Sequence, residues 1–263
     1  MLKADVSVVI PCFNSETTIL RALASVLNQT LKPCEIVIVD DASTDNTRCV
    51  ISEFIHSNPH ITVRYFRLPI NSGPSRARNI GWDNSISKYV AFLDSDDTWH
   101  PKKIEIQYML MNDNQNIDIC GHKSDLVSRA QDMCPNSKEY FLIFLHHLLI
   151  RSRFSTPSIM LKRSISLRFN EGRRYSEDYD LWLNLASQEC LIAVIPLTLC
   201  FLHKERYGDA GLSKNLINMW RGEVAAFYGI WRKRYISFPV FGFFSIFSFL
   251  KLLRRFVVIF VRK

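Results

Sequence analysis

The chain has 263 residues, 48% of them hydrophobic and 12% aromatic, enough to bury one large α/β domain with an appendage or two small domains. Of its 33 Lys/Arg, eight (Arg232, Lys233, Arg234, Lys251, Arg254, Arg255, Arg262, Lys263) lie from Gly229 onward without an acidic neighbour, which leaves residues 1–228 with 25 basic against 25 acidic side chains. A neutral body excludes a nucleic-acid binder, whose basic residues must cover the binding face; seven scattered cysteines without a CxxC pair exclude a zinc site and point to a reducing cytosol.

The first residues, Met1 to Asp5, run directly into an apolar segment with no charged leader or cleavage site, so the reading is of a protein that is not exported. Val6 to Ile10 reads as a buried strand stopped by Pro11, and Ser15 to Gln29 as a helix with Ile19, Leu20, Leu23, Val26 and Leu27 at helical spacing. A second buried strand, Ile36 to Val39, ends in Asp40-Asp41, and Ser43 or Thr44 caps the next helix, which carries Val50, Ile51 and Phe54. A third strand (Ile61 to Leu68), a Gly73-Pro74 turn, a short basic helix (Ser75 to about Asn84) and a fourth strand (Tyr89 to Leu93) follow. Strands alternating with helices predict a mainly parallel sheet covered on both faces. Ligands of such sheets gather at the carboxyl ends of the strands, which aligns Asp40, Asp41 and Asp94 to Asp97 along one edge.

Beyond residue 120 the pattern predicts a polar loop or lid (Lys123 to Lys138), an apolar helix (Glu139 to Ile150) and a strand (Ser158 to Leu161). It continues with a helix from Ser176 to Ser187, with Tyr179, Leu181, Trp182 and Leu185 inward, and a strand from Leu191 to Leu199 broken by Pro196. Tyr235 to Leu250 is an uncharged run of 16 residues with six Phe, short of the roughly 20 that a spanning helix needs. On a helical wheel Lys251, Arg254, Arg255 and Arg262 share one sector. Residues 235–263 are therefore expected to form an in-plane amphipathic membrane anchor; the alternatives are a helix packed on the body or a tilted span.

Three carboxylates in Asp94-Ser95-Asp96-Asp97 repel one another unless a cation or water offsets them. The cluster is either a clamp for Mn²⁺ or Mg²⁺ and a diphosphate, or a solvated acidic turn. Glu177-Asp178 is either a general base with its neighbour or an acidic helix start favoured by the dipole. Arg76 and Arg78 either meet phosphate through their planar forks or face solvent.

In this order, the segments Val6 to Asn14, Val37 to Asp45, Asn71 to Gly81, Phe92 to Trp99 and Glu177 to Leu183 resemble glycosyltransferase family 2, densely over residues 5–110 and more thinly to 215. The resemblance implies a GT-A fold over residues 1–228, with a nucleotide-sugar half (1–115) and an acceptor half (116–228), followed by the tail from 229. It implies that Pro11 and Asp41 read the nucleotide base, that Arg76, Arg78 and Asp94 contact the nucleotide or diphosphate, and that Asp96, aided by Asp94, holds the metal. Asp178 is similar to the family's general base, with Glu177 beside it and Trp182 lining the acceptor pocket. The polar segment 202–213 would close over the diphosphate with His203 as a candidate metal ligand, although its spacing departs from the family's pattern.

The activity implied is inverting transfer of a hexose, glucose or galactose, from a UDP-sugar to a lipid-diphosphate-linked sugar in bacterial surface-polysaccharide synthesis of the O-antigen type. The enzyme would be cytoplasmic and peripheral on the inner face of the cell membrane. Transfer to a lipid core or to polyprenyl phosphate, and an inactive membrane-bound scaffold, remain the alternatives.

Overall fold

The computed structural model describes residues 3–129, 139–204 and 215–261. The end of the polar loop (130–138), most of the expected closing segment (205–213), Arg262 and Lys263 lie outside the described residues.

The first half follows the alternating pattern: β1 (Lys3–Cys12), α1 (Ile19–Leu27), β2 (Lys32–Asp40), α2 (Thr47–Ser57), β3 (Val63–Arg67), α3 (Pro74–Asp83), β4 (Tyr89–Phe92). A short β5 (Thr98–Trp99), α4 (Lys103–Asp113), β6 (Ile119–Leu126), β7 (Phe141–Ile143) and α5 (Leu145–Ile150) come next. The chain then makes a single 3-10 turn (Thr156–Ser158), β8 (Met160–Lys162), α6 (Glu177–Ser187), β9 (Ile192–Leu202), α7 (Leu216–Arg232) and α8 (Phe238–Val261).

All the described strands join one sheet in the order β3-β2-β1-β4-β8-β6-β9-β5, with β7 pairing β9. Strands β1 to β4 are mutually parallel; β8 is antiparallel to both β4 and β6. Chain order reverses between β1 and β4, which opens a crevice at their carboxyl ends.

Alternation along the buried strands divides the core in two. Val6, Val8 and Ile10 of β1 face Ile19 and Leu23 of α1, Ile51 of α2 and Ile104 of α4. Val9 faces the other way, toward Trp82 of α3, Leu148 of α5, Trp182 of α6 and Phe227 of α7. The α4 layer also holds a fully buried cation: Lys103 places its ammonium 3.7 Å from the Trp99 ring centroid. Burial pulls its pKa down to about 7.

The second half departs from the sequence expectation in three places. Glu139 to Ile150 is not one helix: Phe141–Ile143 is captured by the edge of β9, and the chain turns helical only after Phe144, whose backbone is extended (φ −110°, ψ 169°). A continuous apolar run carries no period to separate the two states. The polar stretch from Lys123 begins as strand, because β6 pairs with β9 as far as Leu126. Pro196 does not break β9; the register with β6 slips from His122↔Ile195 to Lys123↔Thr198, so the residue lacking an N–H sits in an irregularity.

The tail is a helical pair. The boundary drawn at residue 228 falls inside α7, and α8 packs along α7 through Trp231 stacked on Phe241 (5.4 Å) and through the tilted ring pairs Phe227–Phe244 (6.2 Å) and Trp220–Phe249 (5.6 Å). Lys251 does not share a solvent-facing sector with Arg254: its ammonium lies 2.5 Å from the Glu223 carboxylate of α7. The outward stripe of α8 is apolar, with Phe243, Ile246, Leu250, Leu253 and Val257 exposed at alternating spacings of three and four. Among the described residues no helix is long and apolar enough to cross a membrane.

Candidate active site

One edge of the crevice, where the donor is expected, is built at the ends of β1 and β2. Pro11 is buried beside Val39, and the Asp41 amide donates to Cys12 O at 2.8 Å. Both oxygens of Asp41 accept from the loop before α3, from Ser72 N (2.7 Å) and Gly73 N (2.8 Å). Gly73 has φ 88°, a value that favours glycine, and with Pro74 it starts α3 at the crevice. Asp41 thus anchors the loop that aims α3. Asp40 is buried and accepts from the Tyr65 hydroxyl (2.7 Å) and Ser43 N (2.8 Å).

Beyond β4 the acidic cluster forms a tight turn, with the Asp97 amide donating to Asp94 O. Asp94 accepts from an Arg78 nitrogen at 2.9 Å. The carboxylate of Asp96 meets the Lys204 ammonium at 3.0 Å, and its carbonyl accepts from Arg21 at 2.7 Å. Asp97 is buried; burial, then the charges of Asp94 and Asp96, push its carboxyl up to about 8 against a bond from the His203 amide. The His203 ring reaches Thr98 Oγ1 through Nε2 at 2.9 Å, which leaves Nδ1 as the ring atom without that contact.

Across the crevice, α6 begins at Ser176, held at φ 55° with its hydroxyl donating to Met219 O of α7 (3.1 Å). This start presents Glu177 and Asp178. Glu177 pairs with Arg78 at 3.1 Å. Asp178 accepts from the Tyr179 amide through Oδ1 (2.7 Å), and the Thr156 hydroxyl approaches Oδ2 (3.5 Å). Burial raises both acids, with Asp178 adding to the rise of Glu177 and Arg78 opposing it in each case.

Arg78 is the hub. Its side chain is nearly buried, lies over the Phe169 ring, and forks between Asp94 at the tip of β4 and Glu177 on α6. Burial alone would favour its neutral form, but Asp94 and Glu177 more than offset this and hold it charged. It therefore acts as an internal strut: its two terminal nitrogens are engaged by these acids, and Nε is buried without a partner. Of the other expected ligand contacts, only that of Trp182 is corrected by burial. Arg76, in the first turn of α3, is 54% exposed and pairs loosely with Glu171 at 3.8 Å. Trp182 is fully buried edge-on between Phe154 (5.6 Å) and Phe169 (5.9 Å), so it supports α6 from behind and lines no cleft.

The structure adds Lys204, Arg21 and Thr156, which the sequence reading left out. Lys204 adjoined the singled-out His203, but Arg21 lies on an ordinary helix face and Thr156 in a turn with no motif. Trp99 Nε1 donates to Pro157 O (2.7 Å) and Gln107 to Ser158 O (3.0 Å), so the turn carrying Thr156 is pinned from α4 and β5.

A doubly wound sheet with acids at the tip of β4, facing acids at the start of a later helix, defines the GT-A class of nucleotide-sugar glycosyltransferases. The chain belongs to glycosyl transferase family 2, whose model matches residues 7–165. Among its relatives, an Escherichia coli protein named UDP-Glc:alpha-D-GlcNAc-diphosphoundecaprenol beta-1,3-glucosyltransferase WfgD is 28% identical over 214 residues, covering 80% of each chain. An uncharacterized glycosyltransferase of Rickettsia felis is 35% identical over 71% of this chain, which spans 31% of that relative's length. The fold is similar to that of S. aureus TarS in complex with UDP-GlcNAc (TM-score 0.69, 19% identity, 86% of this chain and 66% of that one). It is also similar to the mannosyltransferase PcManGT of Pyrobaculum calidifontis in complex with GDP-Man and Mn²⁺ (TM-score 0.67, 17% identity, 88% and 65%).

Proposed function

We propose that this chain transfers a hexose from a UDP-sugar, with inversion, to a sugar carried on a lipid diphosphate at the inner face of the cell membrane. The step would belong to surface-polysaccharide assembly of the O-antigen kind. The observation that carries the reading is the Arg78 bridge, because it holds the Asp94 turn and the Glu177-Asp178 pair at one strand edge. The name of the E. coli relative supports the donor and acceptor classes, and the UDP-GlcNAc complex of TarS supports a uridine nucleotide. The apolar outer stripe of α8, with Arg254 exposed at its margin, supports attachment to a membrane through residues 235–263.

A hard divalent cation fits the donor edge. The carboxylate of Asp96 already faces a cation in Lys204, and the acids around Asp97 are crowded enough to favour its proton. Among the described residues no three His, Cys, Asp or Glu side chains converge. Asp96, with Asp94 beside it, would therefore hold Mn²⁺ or Mg²⁺ mainly together with the diphosphate and water. A bound metal supplies positive charge to the leaving nucleoside diphosphate.

The protein's own residues perform the remaining chemistry. Asp178 takes the proton of the acceptor hydroxyl as that oxygen bonds to the anomeric carbon and the bond to the diphosphate breaks on the opposite face. Thr156 and the Tyr179 amide orient its two oxygens. The raised pKa of Asp178 makes it a stronger base once ionised, and since only the carboxylate accepts a proton, the rate rises with pH through that pKa. No covalent intermediate is required, and inversion follows from the single displacement.

The test is a panel of UDP-, GDP- and dTDP-sugars with a synthetic lipid-diphosphate acceptor and Mn²⁺, with product configuration read by NMR. A β-linked product from an α-linked UDP-sugar is expected; retention of configuration, or no nucleotide release with any donor, would refute the reading. Asp178→Asn should abolish transfer while leaving UDP affinity within about twofold, because the base contributes to the displacement and not to donor binding. Loss of UDP affinity would remove Asp178 from the role of base.

A further inference from the structure

The geometry points to a second bilayer-contacting patch, formed by β7 and α5 beside the acceptor side of the crevice and continuous with α8, whose occupant is the headgroup layer of an anionic membrane. This deepens the proposed function and rests on its lipid-held acceptor. Edge strand β7 leaves Phe141 59% exposed, and Phe144 and Ile150, before and at the end of α5, are 49% and 47% exposed. The Phe144 ring lies 5.9 Å from both His146 and His147, whose rings are 4.0 Å apart, so the aromatic surface is compact.

Charge decides the partner. Arg151 and Arg153 are exposed directly after Ile150, and the exposed Glu139, just before β7, is followed by no acidic residue until Glu171. Exposed aromatics flanked by two arginines, with a single acid at the margin, suit an anionic lipid surface, where rings sink to the acyl boundary and cations stay with the phosphates. A protein partner bound through this face would have to neutralise the arginines with acids of its own.

Position adds a reason. The Lys251 ammonium of α8 reaches Ile150 O at 3.5 Å, which joins the two surfaces. The Tyr179 hydroxyl donates to Leu148 O at 2.6 Å, which sets α5 against the first turn of α6, where Glu177 and Asp178 stand. A membrane held against β7 and α5 would bring a sugar on a lipid diphosphate to the base without lifting its lipid from the bilayer.

The test is co-sedimentation of the full chain with vesicles of phosphatidylglycerol or phosphatidylcholine, alongside transfer to a short soluble acceptor. Arg151→Gln with Arg153→Gln, leaving α8 intact, should weaken binding to phosphatidylglycerol about thirtyfold, as expected for two surface arginines. Phe141→Ser with Phe144→Ser should weaken binding to both lipids, and these exposed changes should leave the thermal melt and soluble-acceptor transfer unchanged. Arg48→Gln with Lys88→Gln, on other exposed surfaces, should bind as the parent does. Unchanged vesicle binding by both patch variants, or an equal loss in the Arg48/Lys88 control, overturns the inference. So does a dimer that the Phe variant dissolves while vesicle binding persists, which would assign the face to a second copy. Because vesicle binding is read without donor or acceptor, its failure leaves the proposed transferase standing, and failure of transfer leaves the patch standing.

Discussion

Replacing Arg78 by Met keeps most of the buried volume and removes the charge that two acids share. Its nitrogens lie 2.9 Å from Asp94 and 3.1 Å from Glu177, and its side chain is nearly out of solvent. Removing one member of a buried pair leaves its partner desolvated and uncompensated, at a cost of about 3–5 kcal/mol. The cost should depend on pH, because Glu177 can escape by taking a proton. Burial and Asp178 already raise its pKa, and losing Arg78 removes the main influence opposing them. A folded-state pKa above the unfolded value means that the folded protein binds more protons, so stability falls as pH rises through the unfolded and then the folded value. Urea denaturation of parent and variant should show the smaller difference in mildly acidic buffer and the larger at mildly alkaline pH. A difference that does not change with pH, or one below about 1 kcal/mol, would refute the assignment of Arg78 as a charged strut.

Thr156→Val removes the hydroxyl beside Asp178 Oδ2; kcat should drop about fivefold, as for one modest hydrogen bond, with the rising limb of the pH profile moved upward and donor KM unchanged. Thr156→Ser should restore the profile, and a variant that altered donor KM instead would separate Thr156 from the base. Lys204→Met removes the ammonium competing for Asp96, so half-saturation by Mn²⁺ in nucleotide-release assays should move to lower concentration; a move to higher concentration would mean that Lys204 serves the diphosphate. Trp182→Phe should leave acceptor KM unchanged and cost less than about 2 kcal/mol, because the indole N–H that it removes is buried without a partner.

β1, β2 and β4 were legible because each is a short, mainly apolar run ending in a polar break, and such runs have few alternatives in a buried parallel sheet; the edge strand β3, with Arg64 and Arg67, is half-buried and is read from its β-branched and aromatic residues. The same logic located the acids at the tip of β4 and the helix starting at Glu177, since strand ends and helix starts are local events. What one segment does to another is not local. Arg78 and Glu177 are 99 positions apart, and no spacing rule could show that they would meet. Trp182 reads as an inward residue and is one; its supposed place at a pocket came from resemblance, and the crowding of Phe154 and Phe169 against it is a tertiary fact. The tail shows the same limit. A helical wheel orders side chains around an axis but does not say which side meets α7, so Lys251 was grouped with outward arginines although Glu223 claims it.

The ladder between β4 and β8 joins the strand that ends in Asp94 to Asp97 to the strand that follows the Thr156 turn. The two sides of the crevice thus share one continuous backbone hydrogen-bond network, and swinging one away from the other would require unzipping it. The mouth between them has a fixed gauge, and discrimination among sugars has to be exercised by side chains and loops at the strand tips. Exchanging those tips between relatives should therefore transplant selectivity without re-engineering the frame beneath.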